Sequence, residues 1–198
     1  MTILKLPQDR SDHPHTRKKQ AMTRAGPHPG IGPQEPAIDL WETVAPVLAD
    51  NLYLVLGTVD AAGKPWVSPV FFAARDETLL YWVSSPASRH SRNIDVQPTV
   101  AITVFDSRAA IGAGEAVYMT ATATASGVTA GAVGLDTLNA RLPAGRQLSS
   151  DDLVPGGPLA VYEAAVDDHY VLVRGGDPRF DNDVDTSYRV TPTSGHKN

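Results

Sequence analysis

Between Trp82 and Asn93 the chain reads Trp-Val-Ser-Ser-Pro-Ala-Ser-Arg-His-Ser-Arg-Asn, an apolar stretch that runs into hydroxyls and cations, the groups that hold phosphate. With Ser85 as N-cap and Pro86 as first helical residue, the free amides of the first turn and the helix dipole favour an anion. Ser88, Arg89 and His90 crowd the same place, and the planar fork of arginine matches phosphate oxygens. Taken alone, these residues equally make an ordinary capped helix with Arg89 and Arg92 on its exposed face.

A second constellation is Trp66-Val67-Ser68-Pro69-Val70-Phe71. Proline inside a strand removes a ladder donor, so Pro69 belongs at an edge or a bulge. The interruption either protects the edge from pairing or leaves main-chain groups free for a planar, hydrogen-bonding ligand such as a flavin ring. No side chain stands out as an acid-base catalyst or nucleophile. His90 and His169 qualify by chemistry only, and His169 falls in an expected exposed turn, Val166 to His169.

These residues are positioned by a run of short elements. Ile38, Trp41, Val44, Val47 and Leu48 lie at helical spacing over residues 37–50, disturbed at Pro46. Leu52 to Val59 and Pro65 to Ala73 read as a hairpin whose first strand is central, and Glu77 to Ser84 as a third strand. A helix from Pro86 to about Gln97 ends before Pro98, and Val100, Ile102 and Val104 alternate in a fourth strand, Thr99 to Phe105. The fifth, Gly114 to Ser126, puts Tyr118, Thr120, Thr122 and Thr124 opposite a face of Val117, Met119, Ala121 and Ala123. Val128, Leu135, Leu138 and Leu142 mark another helix, a connection with one helical turn covers residues 143–158, and strands return at Leu159 to Val173 and Ser187 to Val190. Six or more mostly antiparallel strands with few helices predict a barrel or sandwich.

Hydrophobic residues make up 42% of the 198 and charged residues 20%, the balance of a globular chain, and the absence of cysteine excludes disulfides and thiolate chemistry. Residues 1–34 hold six Lys or Arg against two acids, which leaves eleven against twenty for the remainder. We read residues 1–35 as a disordered basic arm and 36–198 as the folded domain. An acidic body argues against nucleic-acid binding. With no apolar run of membrane-spanning length and no secretory signal pattern, a soluble, cytoplasmic protein without a membrane partner is expected.

The order Gly57-Thr-Val-Asp-Ala-Ala-Gly-Lys-Pro-Trp-Val-Ser-Pro-Val70, then Leu80-Tyr-Trp-Val-Ser-Ser85, then Ser88-Arg-His-Ser-Arg-Asn-Ile94, then Pro98-Thr-Val-Ala-Ile102 resembles the pyridoxamine 5'-phosphate oxidase-like family. The resemblance implies a six-stranded antiparallel split β-barrel that forms a homodimer, with FMN in a groove at the subunit interface. It implies that Val67, Ser68 and Pro69 meet the isoalloxazine edge, that Trp82, Val83 and Ser84 meet the ribityl and phosphate side, that the phosphate lies against Ser88, Arg89 and His90, and that Ser85 and Asn93 belong to the same cofactor site. His90 replaces the lysine common in the family. The implied activity is FMN-dependent oxidoreduction of a small organic substrate. Coenzyme F-420 is the alternative, with Arg92, Arg108, Arg141 and Arg146 available for its acidic tail, and a flavin- or haem-binding protein without turnover is another, since His90 is a side chain able to ligate haem iron. The acidic stretch Asp177 to Asp185, with Arg179 its one cation, speaks against a true pyridoxamine phosphate oxidase.

Overall fold

The computed structural model describes residues 39–153 and 156–192, so the arm read at residues 1–35 lies outside the described residues. The Asp39 carboxylate accepts from the Trp41 amide at 2.9 Å and caps a 3-10 turn, Leu40–Thr43, that continues into helix α1, Val44–Asp50. Pro46 is third in α1, where no intrahelical acceptor is lost, so the disturbance predicted there appears as the change from 3-10 to α just before it. Leu40, Trp41, Val44, Val47 and Leu48 are all buried.

Strands β1 (Tyr53–Val59) and β2 (Pro65–Phe71) form the predicted hairpin, closed by Asp60, whose Oδ1 accepts from the amides of Ala62 (3.0 Å) and Lys64 (2.9 Å). β1 lies between β2 and β5 (Thr99–Phe105), as its apolar run requires of a central strand. β2 ends the sheet with an unbroken register, so Pro69 occupies an edge and not a bulge. The second strand predicted to run to Ala73 breaks at Phe72. There, fully buried, the chain leaves β1 and pairs as β3 (Ala73–Arg75) with β4 (Leu79–Ser84). The turn between them holds Asp76 and Glu77 both at φ +53°, and the carbonyl of Glu77 accepts from His169 Nε2 at 2.9 Å.

Helix α2 (Arg89–Val96) follows β4, and β6 (Ala116–Ala125), α3 (Val128–Asn139), β7 (Ala160–Val173) and β8 (Thr186–Val190) complete the order. All pairings are antiparallel, and the sheet runs β2-β1-β5-β6-β7-β4-β3 with β8 added to β7. Six longer strands thus make the predicted barrel, and β3 and β8 are short additions. The expected turn at Val166 to His169 is absent. β7 is one strand of 14 residues, and the four residues there contain a bulge at Asp167: Thr120 opposes Asp168 while Ala121 opposes Val166. The extra residue bends β7 between its two partners, β4 before the bulge and β8 after it.

Alternation sorts the two faces of the sheet. Leu54, Leu56, Val70, Ile102, Val104 and Met119 point into one core, whereas Ala73, Tyr81, Leu138 and Val161 form a second cluster beneath α3. Contact with α3 depends on Gly134, where an added Cβ would lie 2.6 Å from Tyr81 Cδ1 and 2.9 Å from Val161 Cγ1.

Candidate functional site

β2 and β4 approach one another without a ladder, since pairing to β4 begins only after the corner at Phe72. The start of α2 fills this split. Ser85 to Ser88 is a turn closed by the Ser88 amide on the Ser85 carbonyl (2.9 Å), with Pro86 at its second position, where proline's φ is preset. The helix therefore starts three residues later than predicted, and its N-cap is Ser88, not Ser85. Ser88 is extended (φ −69°, ψ 156°), its Oγ accepts from the Ser91 amide at 3.3 Å, and it donates to Ser91 Oγ at 2.8 Å.

His90 reaches into the split. Its Nδ1 is 3.2 Å from Ser68 Oγ on β2 and its Nε2 is 2.8 Å from Ser84 Oγ on β4, while Trp66 Nε1 donates to Ser68 Oγ at 3.0 Å. Arg89 lies over the Trp66 ring, 4.3 Å from its centroid, with a terminal nitrogen 3.6 Å from Asp60 Oδ2. The Lys64 amide donated to Asp60 holds that carboxyl below its ordinary range, with help from Ala62 and Arg89. Beside this cluster a groove of 660 Å³ runs along the outer sheet face, walled by Gly57, Val59, Pro65, Trp66, Val67 and Ala101. Its size suits a small ligand.

The residues singled out in the sequence divide into three places. Ser68, Ser84, Ser88, Arg89 and His90 converge at the split, with Ser85 in the adjoining turn. Val67 and Pro69 are exposed on the outer face of β2. Both prolines of β2 share one parity, and a residue without an N–H cannot donate to β1; that parity faces the open edge, which between Pro65 and Pro69 offers carbonyls and a single amide, that of Val67. The other three side chains are turned away. Trp82 is fully buried and stacked on Tyr162 at 5.8 Å, its indole N–H without an acceptor among the described residues, and Val83 packs into the cluster beneath α3. Asn93 is buried and donates to Thr58 Oγ1 at 2.9 Å, pinning α2 to β1. At Trp82 and Asn93 only the main chain is left to face a ligand.

Sequence reasoning missed Asp60 and Trp66 as partners of Arg89. Asp60 was legible as a turn residue, but its second role depends on a contact 29 positions away. His169 also differs from expectation: 5% exposed, it lies edge-on to Trp41 at 4.9 Å instead of in an exposed turn.

Burial holds both His90 and His169 below the ordinary histidine pKa, a shift that the Glu77 carbonyl partly opposes at His169. Below about pH 6.5 the unfolded chain therefore binds more protons than the folded one, and stability falls as pH drops until the folded-state values are reached. Unfolding midpoints in denaturant at pH 7.5 and 5.0 should show this loss, reduced in a His90→Gln, His169→Asn double variant. An unchanged midpoint in the wild type would refute it.

A curled antiparallel sheet with a capped helix set between two unpaired strands defines a split β-barrel protein. The chain belongs to the pyridoxamine 5'-phosphate oxidase family, whose model matches residues 40–148. No curated protein matches the sequence. Among solved structures, similar folds are found in a proposed 5-nitroimidazole antibiotic resistance protein of Bacteroides thetaiotaomicron VPI-5482 (TM-score 0.57, 17% identity, 67% of this chain and 82% of that one). The haem storage protein HutZ of Vibrio cholerae (TM-score 0.55, 21% identity, 66% and 92%) and a haem-binding protein of Mycobacterium smegmatis (TM-score 0.55, 17% identity, 73% and 55%) are similar too. At these identities the likeness is one of fold. Among the described residues no helix is long and apolar enough to cross a membrane.

Proposed function

We propose that the protein binds FMN as a homodimer and acts as an FMN-dependent oxidoreductase on a small organic substrate. The observation that carries this reading is the position of the Ser88 and Arg89 helix start beside an apolar groove walled by Trp66. A phosphate gains the amides of the first turn and the Arg89 guanidinium, and a planar ring gains the groove and the β2 edge. The flavin supplies hydride and electron transfer when bound, and the chain's task is to hold it and exclude water.

Two observations favour FMN over its competitors. Of the four arginines considered for the acidic tail of F-420, Arg141 is committed to four main-chain carbonyls and Arg92 donates to the Ala87 carbonyl, which leaves Arg108 and Arg146 for that tail. Both ring nitrogens of His90 are engaged and His169 is buried on Glu77, which leaves neither described histidine free for haem iron. Arg179 is bound to Asp177, whose pKa its side-chain hydrogen bond lowers to about 2, and this supports a substrate other than a phosphorylated vitamin. The dimer reading rests on the outer face of β1, β2 and β5, where Tyr53 (60% exposed), Val67 (59%) and Phe105 (43%) form an apolar surface.

The test is the visible spectrum of the purified protein, then titration with FMN, F-420 and haem. FMN is expected to bind, and Arg89→Ala with Ser88→Ala to weaken it roughly tenfold to hundredfold, the range for lost charged hydrogen bonds. Unchanged affinity in the double variant, or binding of haem alone, would overturn the reading. Val67→Glu places a charge on the apolar face and should shift the sedimentation coefficient from dimer to monomer; an unshifted dimer would place the interface elsewhere.

A further inference from the structure

We propose that His90 is a positioning residue and not a phosphate ligand: a neutral imidazole that clasps β2 to β4 across the split and sets the distance between the β2 edge and the start of α2. This rests on the flavin reading for its purpose, though not for its geometry. The two strands have no ladder between them, and the contacts of His90 with Ser68 and Ser84 span the gap.

The protons favour a neutral ring. Trp66 Nε1 only donates, so Ser68 Oγ accepts from it and has one hydrogen left to give. Given to His90 Nδ1, that hydrogen makes Nδ1 the acceptor and leaves Nε2–H to donate to Ser84 Oγ at 2.8 Å. The opposite neutral tautomer reverses the chain, with Ser84 Oγ donating to Nε2 and Nδ1–H donating to Ser68 Oγ, and either one pairs one of the two hydroxyl hydrogens with the ring. An imidazolium accepts from neither, so both hydroxyl hydrogens lose the acceptor these contacts offer, in residues only 8% and 9% exposed. The charged groups around the imidazole are Asp60 and Lys64 of the β1–β2 turn and Arg89 and Arg92 of its own helix, while β2 and β4 present Trp66, Ser68 and Ser84.

The two roles of His90 predict opposite responses to acid. A ligand that becomes cationic tightens its hold on phosphate; a clasp that becomes cationic lets go. FMN and riboflavin affinities should be measured from pH 7.5 to 5.5 in the wild type and in His90→Gln, riboflavin serving because it has no phosphate to titrate. A clasp weakens both flavins by about tenfold per pH unit once pH is below the His90 pKa, as the competent fraction falls, and the dependence disappears in His90→Gln. Nitrogen-15 spectra of the flavin-free protein at pH 7.5 read the charge of the ring directly and should show a neutral imidazole with one protonated nitrogen. FMN binding that tightens on acidification, or an imidazolium signal at pH 7.5, overturns the proposal. If neither flavin binds at any pH, the flavin reading fails and the nitrogen spectra alone decide the clasp.

Discussion

Arg141→Ala will destabilise the fold by about 3 kcal/mol, because a charged donor leaves four carbonyls unpaired at once. Its guanidinium donates to Leu48 (3.3 Å), Ala49 (2.8 Å) and Asn51 (2.7 Å) at the end of α1, and to Phe72 (3.1 Å) at the corner where the chain passes from β2 to β3. The last carbonyls of a helix have no partner within it, and here an arginine from beyond α3 supplies one. The guanidinium also lies 5.0 Å from the centroid of the Phe72 ring, and burial holds its pKa below the ordinary arginine value. For a chain of this size the loss corresponds to a fall in Tm of roughly 10 °C. Arg141→Lys should recover only a part, since a compact ammonium cannot reach acceptors on two separate segments. Urea unfolding of the three proteins measures this, and a loss below about 0.5 kcal/mol, the level of an ordinary surface substitution, would refute the role. Because Phe72 is the corner from which the split opens, flavin affinity should fall in Arg141→Ala even at temperatures where the variant remains folded.

Gly134→Val is expected to cost about 3 kcal/mol or more, and Gly134→Ala about 1–2, although alanine in an exposed helix would be worth about 1 in the opposite direction. The sign is reversed by packing. A Cβ at this position would lie inside van der Waals contact of the Tyr81 ring and of Val161, both buried and neither at the flexible end of a long side chain. α3 would have to rise from β4 and β7, opening the cluster of Tyr81, Leu138 and Val161. Calorimetry of the two variants checks the order. A Gly134→Ala protein as stable as the wild type would mean that α3 shifts without cost.

Local signals were legible where one segment's own pattern decided the outcome. β5 matches the predicted Thr99–Phe105 because apolar side chains alternate there, and the two faces of β6 follow the Thr and Ala alternation. Pro69 announced an edge or a bulge because proline cannot donate to a neighbour, and the unbroken register of β2 settled on the edge. The helix start was misplaced by three residues because two serines offered caps and proline fits the second position of a turn as well as the first of a helix. The three polar residues that follow Val166 resemble a turn, yet β6 pairs along the whole segment, and the surplus residue is absorbed as a bulge.

The sequence by itself determined most of the strands and helices, the central position of β1, and the concentration of hydroxyls and cations before Asn93, because each depends on periodicity or on the chemistry of neighbouring residues. Only the tertiary structure decided what those side chains touch. His90 meets Ser68 from 22 positions away, Arg89 meets Asp60, and Arg141 meets α1 from about 90, so each contact exists only once the sheet has curled and its edges have been brought together. The same curling turned Trp82 and Asn93 inward, since the sequence names a residue's chemistry but the closure of the barrel selects which face of a strand or helix is left to the solvent.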